Sequence, residues 1–197
     1  MTLTAERTNF SVARKAMIDS QLRVSGVNEE RLLTAFASVA REDFVPAEQR
    51  GHAYIDRSIP LGNGSSLPAP LVQGRLLGEA APTKKDRVLV VSCGSDYLAA
   101  LVQPLVASVD VIPAAAAVTI VKGSYDLILI DGAIERLPAA LADALEEGGR
   151  IVTGLVERGA TRLAAGRKVR GEVALFPLAD IGMPVLTEFA APKSWSF

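Results

Sequence analysis

Two short apolar runs, Arg87-Val88-Leu89-Val90-Val91 and Tyr125-Asp126-Leu127-Ile128-Leu129-Ile130, restrict the folds open to this chain more than any other feature. They are continuous rather than alternating and largely β-branched, which suits strands buried on both faces of a parallel sheet. Helical patterns over 97–106 and 137–145 follow the runs. The second gives way at Gly148-Gly149 to another strand pattern, Arg150 to Leu155. Strand, helix, strand alternation with glycine punctuation predicts an α/β fold: an open, mostly parallel sheet with helices on both faces. Arg162 to Ala164 and Glu172 to Phe176 flank Gly166-Arg167-Lys168, which predicts an antiparallel hairpin added at one sheet edge.

The first half has a different period. Asn9 caps a predicted helix whose Ala13, Met17 and Leu22 face recurs at helical spacing and which stops at Gly26, a natural left-handed C-terminal residue. Asn28 followed by Glu29 and Glu30 predicts a second helix start, with Leu32, Phe36 and Val39 as the buried stripe. Pro46 and Gly51 bracket a short third helix. Between Ile59 and Pro70 glycine and proline are too frequent for a helix or a central strand, so that stretch is expected to be a loop, where ligand contacts concentrate. The polar, turn-forming Ala81-Pro82-Thr83-Lys84-Lys85-Asp86 marks a seam between a helical and loop region, 1–80, and an α/β region, 81–197, within one compact unit.

Composition removes several function classes. At 197 residues a chain buries enough surface to need no staple, and one cysteine with one histidine leaves neither a disulfide nor a zinc-finger set. A reducing, cytoplasmic setting is the expectation. A formal net charge of -1 argues against a nucleic-acid footprint. The start carries Glu6 and Arg7 without an apolar segment, and no long apolar run occurs, so neither a leader nor a membrane span is expected.

In open α/β sheets ligands lie outside the carboxyl ends of the strands. The turn after the first long run is Ser92-Cys93-Gly94-Ser95-Asp96, in which Gly94 alone meets the need for close backbone approach. The next strand pattern, 107–110, ends on Asp110, placed as the partner of a ribose diol. A third acid, Asp131, ends the Ile128 to Ile130 run beside Gly132. Taken singly, each acid reads first as a helix cap or a solvated loop charge, and it is their shared placement at strand ends that points to a site. His52 reads as a surface histidine and Cys93 as a small buried filler, with no histidine near it in sequence to activate it. Phe189, Trp195 and Phe197 are expected to dock the tail on the core or across a homodimer contact. Arg162, Arg167, Lys168 and Arg170 read as solvated charge.

Met17-Ile18-Asp19-Ser20-Gln21-Leu22, Val39-Ala40-Arg41-Glu42-Asp43-Phe44-Val45-Pro46 and Ala53-Tyr54-Ile55-Asp56-Arg57-Ser58-Ile59-Pro60-Leu61-Gly62 together make the chain resemble the protein-L-isoaspartate O-methyltransferases. The strand and helix patterns Tyr125 to Leu129, Leu137 to Leu141 and Glu147 to Val152 extend the resemblance almost to the end. It implies a Rossmann-like S-adenosylmethionine-dependent methyltransferase fold of seven strands, and carboxyl methylation of isoaspartyl residues in damaged proteins. Ser92, Gly94, Ser95, Asp110 and Asp131 are then the cofactor-binding candidates. In such chemistry the substrate carboxylate is the nucleophile, so the protein mainly positions groups and excludes water.

The chain departs from the family pattern at functional positions. Aligning Pro60-Leu61-Gly62 and Pro70 places the family's active-site serine on Pro68, whereas a shifted register places it on Ser66 at the cost of the Gly64 match. The glycine-rich turn has lost an acid and two glycines. Between Asp110 and Tyr125 the residues are too few for the family's helix and third strand, since a parallel crossover needs about 10–12. Lys122-Gly123 stands where the adenine-binding acid would be. Two readings follow: a methyltransferase with an altered cofactor pocket, or a catalytically silent binding or regulatory module on the same scaffold.

Overall fold

The computed structural model of the chain describes residues 3–62, 64–119 and 123–191. α1 (Leu3–Met17) continues through one wide turn, Ile18–Leu22, and one tight turn, Arg23–Ser25. It stops at Gly26, whose φ of 89° any side chain would resist. Asn9 therefore lies inside the helix and caps nothing. α2 (Glu30–Ser38) starts one residue later than expected: the Leu32 and Leu33 amides donate to the Glu29 carbonyl, so Glu29, not Asn28, is the capping residue. Its Leu32, Leu33, Ala35 and Phe36 are buried. Ala47–His52 forms a tight helix after Pro46 that runs through Gly51, and His52 is exposed there.

The Gly- and Pro-rich stretch carries a small ribbon, β1 (Ile59–Pro60) paired antiparallel with β2 (Ser66–Leu67). α3 (Pro70–Ala80) follows, started by Pro70 at its first position.

Next come β3 (Arg87–Ser92), α4 (Tyr97–Val102), β4 (Ser108–Pro113), β5 (Tyr125–Ile134), α5 (Ala139–Ala144), β6 (Leu145–Glu157), β7 (Ala160–Val169) and β8 (Glu172–Asp180). The main sheet runs β4-β3-β5-β6-β7-β8, with β4, β3, β5 and β6 parallel and the last two antiparallel. The fold class is therefore as expected, but the sheet has six strands among the described residues rather than seven. β4 is its edge, and no strand among the described residues pairs beyond it. A tight turn, Ala114–Val118, follows β4, so the short segment before β5 holds no crossover helix in its described part. Residues 120–122, including Ile120, Val121 and Lys122, lie outside the described residues.

The hairpin is present, with its turn displaced. Arg170 and Gly171 carry φ of 55° and 81° between the paired Val169 and Glu172, the positive-φ pair of a two-residue hairpin turn. Gly166 sits inside β7 because a Cβ there would lie 2.5 Å from the Ala174 carbonyl oxygen. It marks a close strand approach rather than a turn.

Hydrophobic burial joins both halves of the sequence. α3 packs on β5, β6 and β7, α4 on β3 and β4, and α5 on β6. One continuous core runs from Met17 to Phe189. The seam is tied down: Arg150 on β6 donates to the Ala80 and Ala81 carbonyls and pairs with Asp86 at 2.6 Å. After β8 the chain returns across the strand tips as a strap. Its Leu186 amide donates to the Ala133 carbonyl and the Ala133 amide to the Pro184 carbonyl, both at 2.8 Å. Phe189 is buried, as expected, whereas Trp195 and Phe197 lie outside the described residues.

The strap fits because Gly132 and Gly154 have no side chains. A Cβ at Gly154 would meet Met183 and the Ala133 backbone, the latter at 2.8 Å. Gly154→Ala is expected to lower the unfolding free energy by about 1–3 kcal/mol, the usual cost of overpacking. A denaturation midpoint equal to that of the unaltered protein would show that the strap can lift.

Candidate functional site

At the carboxyl ends of β3 and β4 lies a cleft of about 590 Å³, bounded by the β1–β2 turn, the turn after β3, the start of the 114–118 turn and the strap. Ser66, Ser92, Gly94, Pro113, Val185 and Glu188 line it. Its position is the one that the sheet topology predicts for a ligand site.

The turn after β3 is closed by its own side chains. Ser92 Oγ donates to the Ser95 carbonyl at 3.1 Å and accepts from the Gly94 amide at 3.0 Å. Ser95 Oγ donates to the Phe44 carbonyl at 3.1 Å. Both serines are buried, and although Ser92 borders the cleft, its hydroxyl, like that of Ser95, is engaged in holding the turn. Gly94, with φ of 102°, is exposed at the bend.

The acids are placed differently from expectation. Asp110 does not end its strand: it pairs with Leu89, and β4 runs on until Pro113 stands level with Ser92. Its carboxylate accepts from the Tyr125 hydroxyl at 2.9 Å. Burial, reinforced by that carboxylate, pushes the Tyr125 hydroxyl up to about 12. Asp131 is also inside its strand, because β5 continues to Ile134 with a register shift between Leu129 and Ala133. It has 0% exposure and does not line the cleft. Pro68, the favoured position for the family serine, is buried. Ser66 does reach the cleft.

Beneath the cleft lies a polar relay that no motif in the sequence marks. Arg41, at 0% exposure, donates from Nε to the Ala53 carbonyl and from Nη1 to Gln73 Oε1, each at 2.7 Å, and from Nη2 to the Pro68 carbonyl. Its guanidinium lies 4.8 Å from the Tyr97 ring centroid. Gln73 then donates to both Asp131 oxygens, at 3.0 and 3.1 Å, and Cys93 Sγ donates to Asp131 at 3.2 Å. Burial, with the Asp131 charge beside it, pushes the Cys93 thiol far up, so it is no nucleophile. Burial likewise lifts the Asp131 carboxyl to about 6, against its hydrogen bonds and the Arg41 charge. Gln73 gave a signal in the sequence, being a polar residue among Leu71, Val72, Leu76 and Leu77 on a buried helix. Arg41 stands in the Val39 to Pro46 stretch, where nothing local tells it from a surface arginine.

A family model described as Protein-L-isoaspartate(D-aspartate) O-methyltransferase matches residues 12–122, more than half of the chain. The chain belongs to this family. A Koribacter versatilis protein-L-isoaspartate O-methyltransferase is 34% identical over 178 residues, covering 77% of this chain and 80% of that protein. One from Roseiflexus castenholzii is 30% identical, covering 88% and 91%. Among solved structures, a Plasmodium falciparum protein of this description, in complex with S-adenosyl-L-homocysteine, superposes with a TM-score of 0.73 at 16% identity. It is covered over 98% of its length by 91% of this chain. A further protein-L-isoaspartate O-methyltransferase structure gives 0.69 at 17% identity, over 88% of this chain and 65% of its own. These likenesses establish the methyltransferase fold.

Proposed function

We propose that this chain is a catalytically silent member of the protein-L-isoaspartate O-methyltransferase family, a binding module that keeps the scaffold without turning over S-adenosylmethionine. The observation that carries the reading is the level of β4: where a carboxylate would have to meet a ribose diol stands Pro113, and Asp110 is held back by Tyr125. The turn after β3 adds to this, because its serine hydroxyls are committed to the Ser95 and Phe44 carbonyls. These groups do not fit the adenosyl cofactor, so no methyl-transfer step is derived.

A second reading, carboxyl methylation of isoaspartyl-containing proteins with an altered pocket, is favoured by one feature. Ser66 lines the retained cleft beside the turn that would face the cofactor. Thermal melting with millimolar S-adenosylmethionine or S-adenosylhomocysteine separates the two. A ligand at a hundred times its dissociation constant stabilises by about 2.7 kcal/mol. No shift is expected here, and no methyl incorporation into an isoaspartyl peptide under conditions where an active relative labels it. A clear shift together with incorporation would sink the silent reading.

A further inference from the structure

We propose that the open face of β7 and β8 is the interface of a two-fold dimer of this chain. An antiparallel hairpin at a sheet edge ordinarily turns apolar residues to the core and polar ones to water. Here both faces are apolar. Val173 and Leu175 of β8 pack against the core. On the opposite face the paired positions Val169 and Glu172, Arg167 and Ala174, Ala165 and Phe176 stand side by side. Val169 is 57%, Phe176 64% and Leu178 49% exposed. A groove of about 620 Å³ runs along this face as far as Glu79 of α3. No helix covers it among the described residues, and a contiguous apolar surface of this kind marks an association site.

Charge selects the occupant. Arg167 and Glu172 rim the patch, and neither has an ion-pair partner among the described residues; Arg167 donates only to the Gly148 carbonyl. A face with an apolar centre and unpaired charges of both signs is self-complementary. In an isologous contact one copy's Arg167 meets the other's Glu172, and the reverse pair forms by symmetry. A net charge of -1 sets up little long-range repulsion between copies. Pro177, which lacks an amide hydrogen, disfavours β8 as an edge that adds another strand, so the copies stack face on face as in a sandwich.

Sedimentation equilibrium of the full chain over micromolar concentrations tests this. The unaltered protein is expected at two-chain mass, and Phe176→Lys at single-chain mass, its dissociation constant raised about thirtyfold or more, as for a central hot spot. Because Phe176 is mostly exposed, the variant should keep the far-ultraviolet circular dichroism and cooperative melting of a folded chain, with a midpoint that no longer rises with protein concentration as the dimer's does. Arg167→Glu and Glu172→Arg should each weaken the dimer, and the double exchange should restore it. A single-chain mass for the unaltered protein, a dimer indifferent to Phe176→Lys, or a double exchange no tighter than the single variants would each overturn the proposal.

Discussion

Arg41→Leu is expected to lower the unfolding free energy by about 3–5 kcal/mol, the scale seen when one partner of a buried charged network is removed. The guanidinium is fully buried and satisfies three acceptors on three segments: the Ala53 carbonyl, the Gln73 side chain and the Pro68 carbonyl. Leucine fills part of the volume and pairs with none of them. Each orphaned acceptor then carries its own desolvation cost, about 1–3 kcal/mol, partly relieved by relaxation. Burial pulls the arginine's own pKa down, opposed by the charges of Tyr97 and Asp131, so the site depends on its partners. Arg41→Lys should fall between leucine and the unaltered protein, because one ammonium cannot span acceptors arranged for a planar fork. Urea midpoints of the three proteins give the comparison. A loss below about 1 kcal/mol for leucine would mean that water or repacking satisfies the carbonyls and that the relay is incidental.

The relay also shows where reading the sequence stops. The parallel sheet was legible because Val88 to Val91 and Leu127 to Ile130 are buried on both sides and announce it by composition. Gly26 was legible because a left-handed helix end leaves few alternatives to glycine. What failed was register. Asp110 reads as a strand end because an acid at the tip of the second strand is the usual partner of a ribose diol, yet pairing with β3 as far as Ser92 carries β4 on to Pro113. Asp131 likewise lies inside its strand, since the strap adds pairing at Ala133 and draws β5 past its expected end. The hairpin turn was misplaced for a local reason. Arg170 holds a positive φ that non-glycine residues seldom take, so the sequence signals a turn at Gly166 more strongly than at the true site. The Arg41–Gln73–Asp131 relay joins residues 32 and 58 positions apart, and such pairing leaves no periodic trace.

Asp131 gives the second large effect, and its sign is opposite to that of an ordinary paired carboxylate. Its carboxyl is lifted from 3.8 to about 6, foremost by burial, with Cys93 in the turn after β3, Gln73 on α3 and Arg41 beyond Gln73 acting against the rise. The native state therefore holds a proton that the unfolded chain has released. The resulting stabilisation, about 3 kcal/mol, is complete below pH 3.8 and is lost as pH rises through about 6. Roughly 1 kcal/mol of it falls between pH 5 and pH 8. Asp126 and Glu146 are held below their usual range by hydrogen bonds from Arg87 and Ser124, and they tilt the whole-protein profile the other way. The informative quantity is thus the difference between the unaltered protein and Asp131→Asn. Asparagine can still accept from Gln73 and Cys93 but does not titrate, so its stability relative to the unaltered protein should improve by about 1 kcal/mol from pH 5 to pH 8, whatever its offset at either pH. Parallel unfolding curves across that range would show that Asp131 stays ionised, with the Arg41 charge reaching it through Gln73 more strongly than burial opposes it.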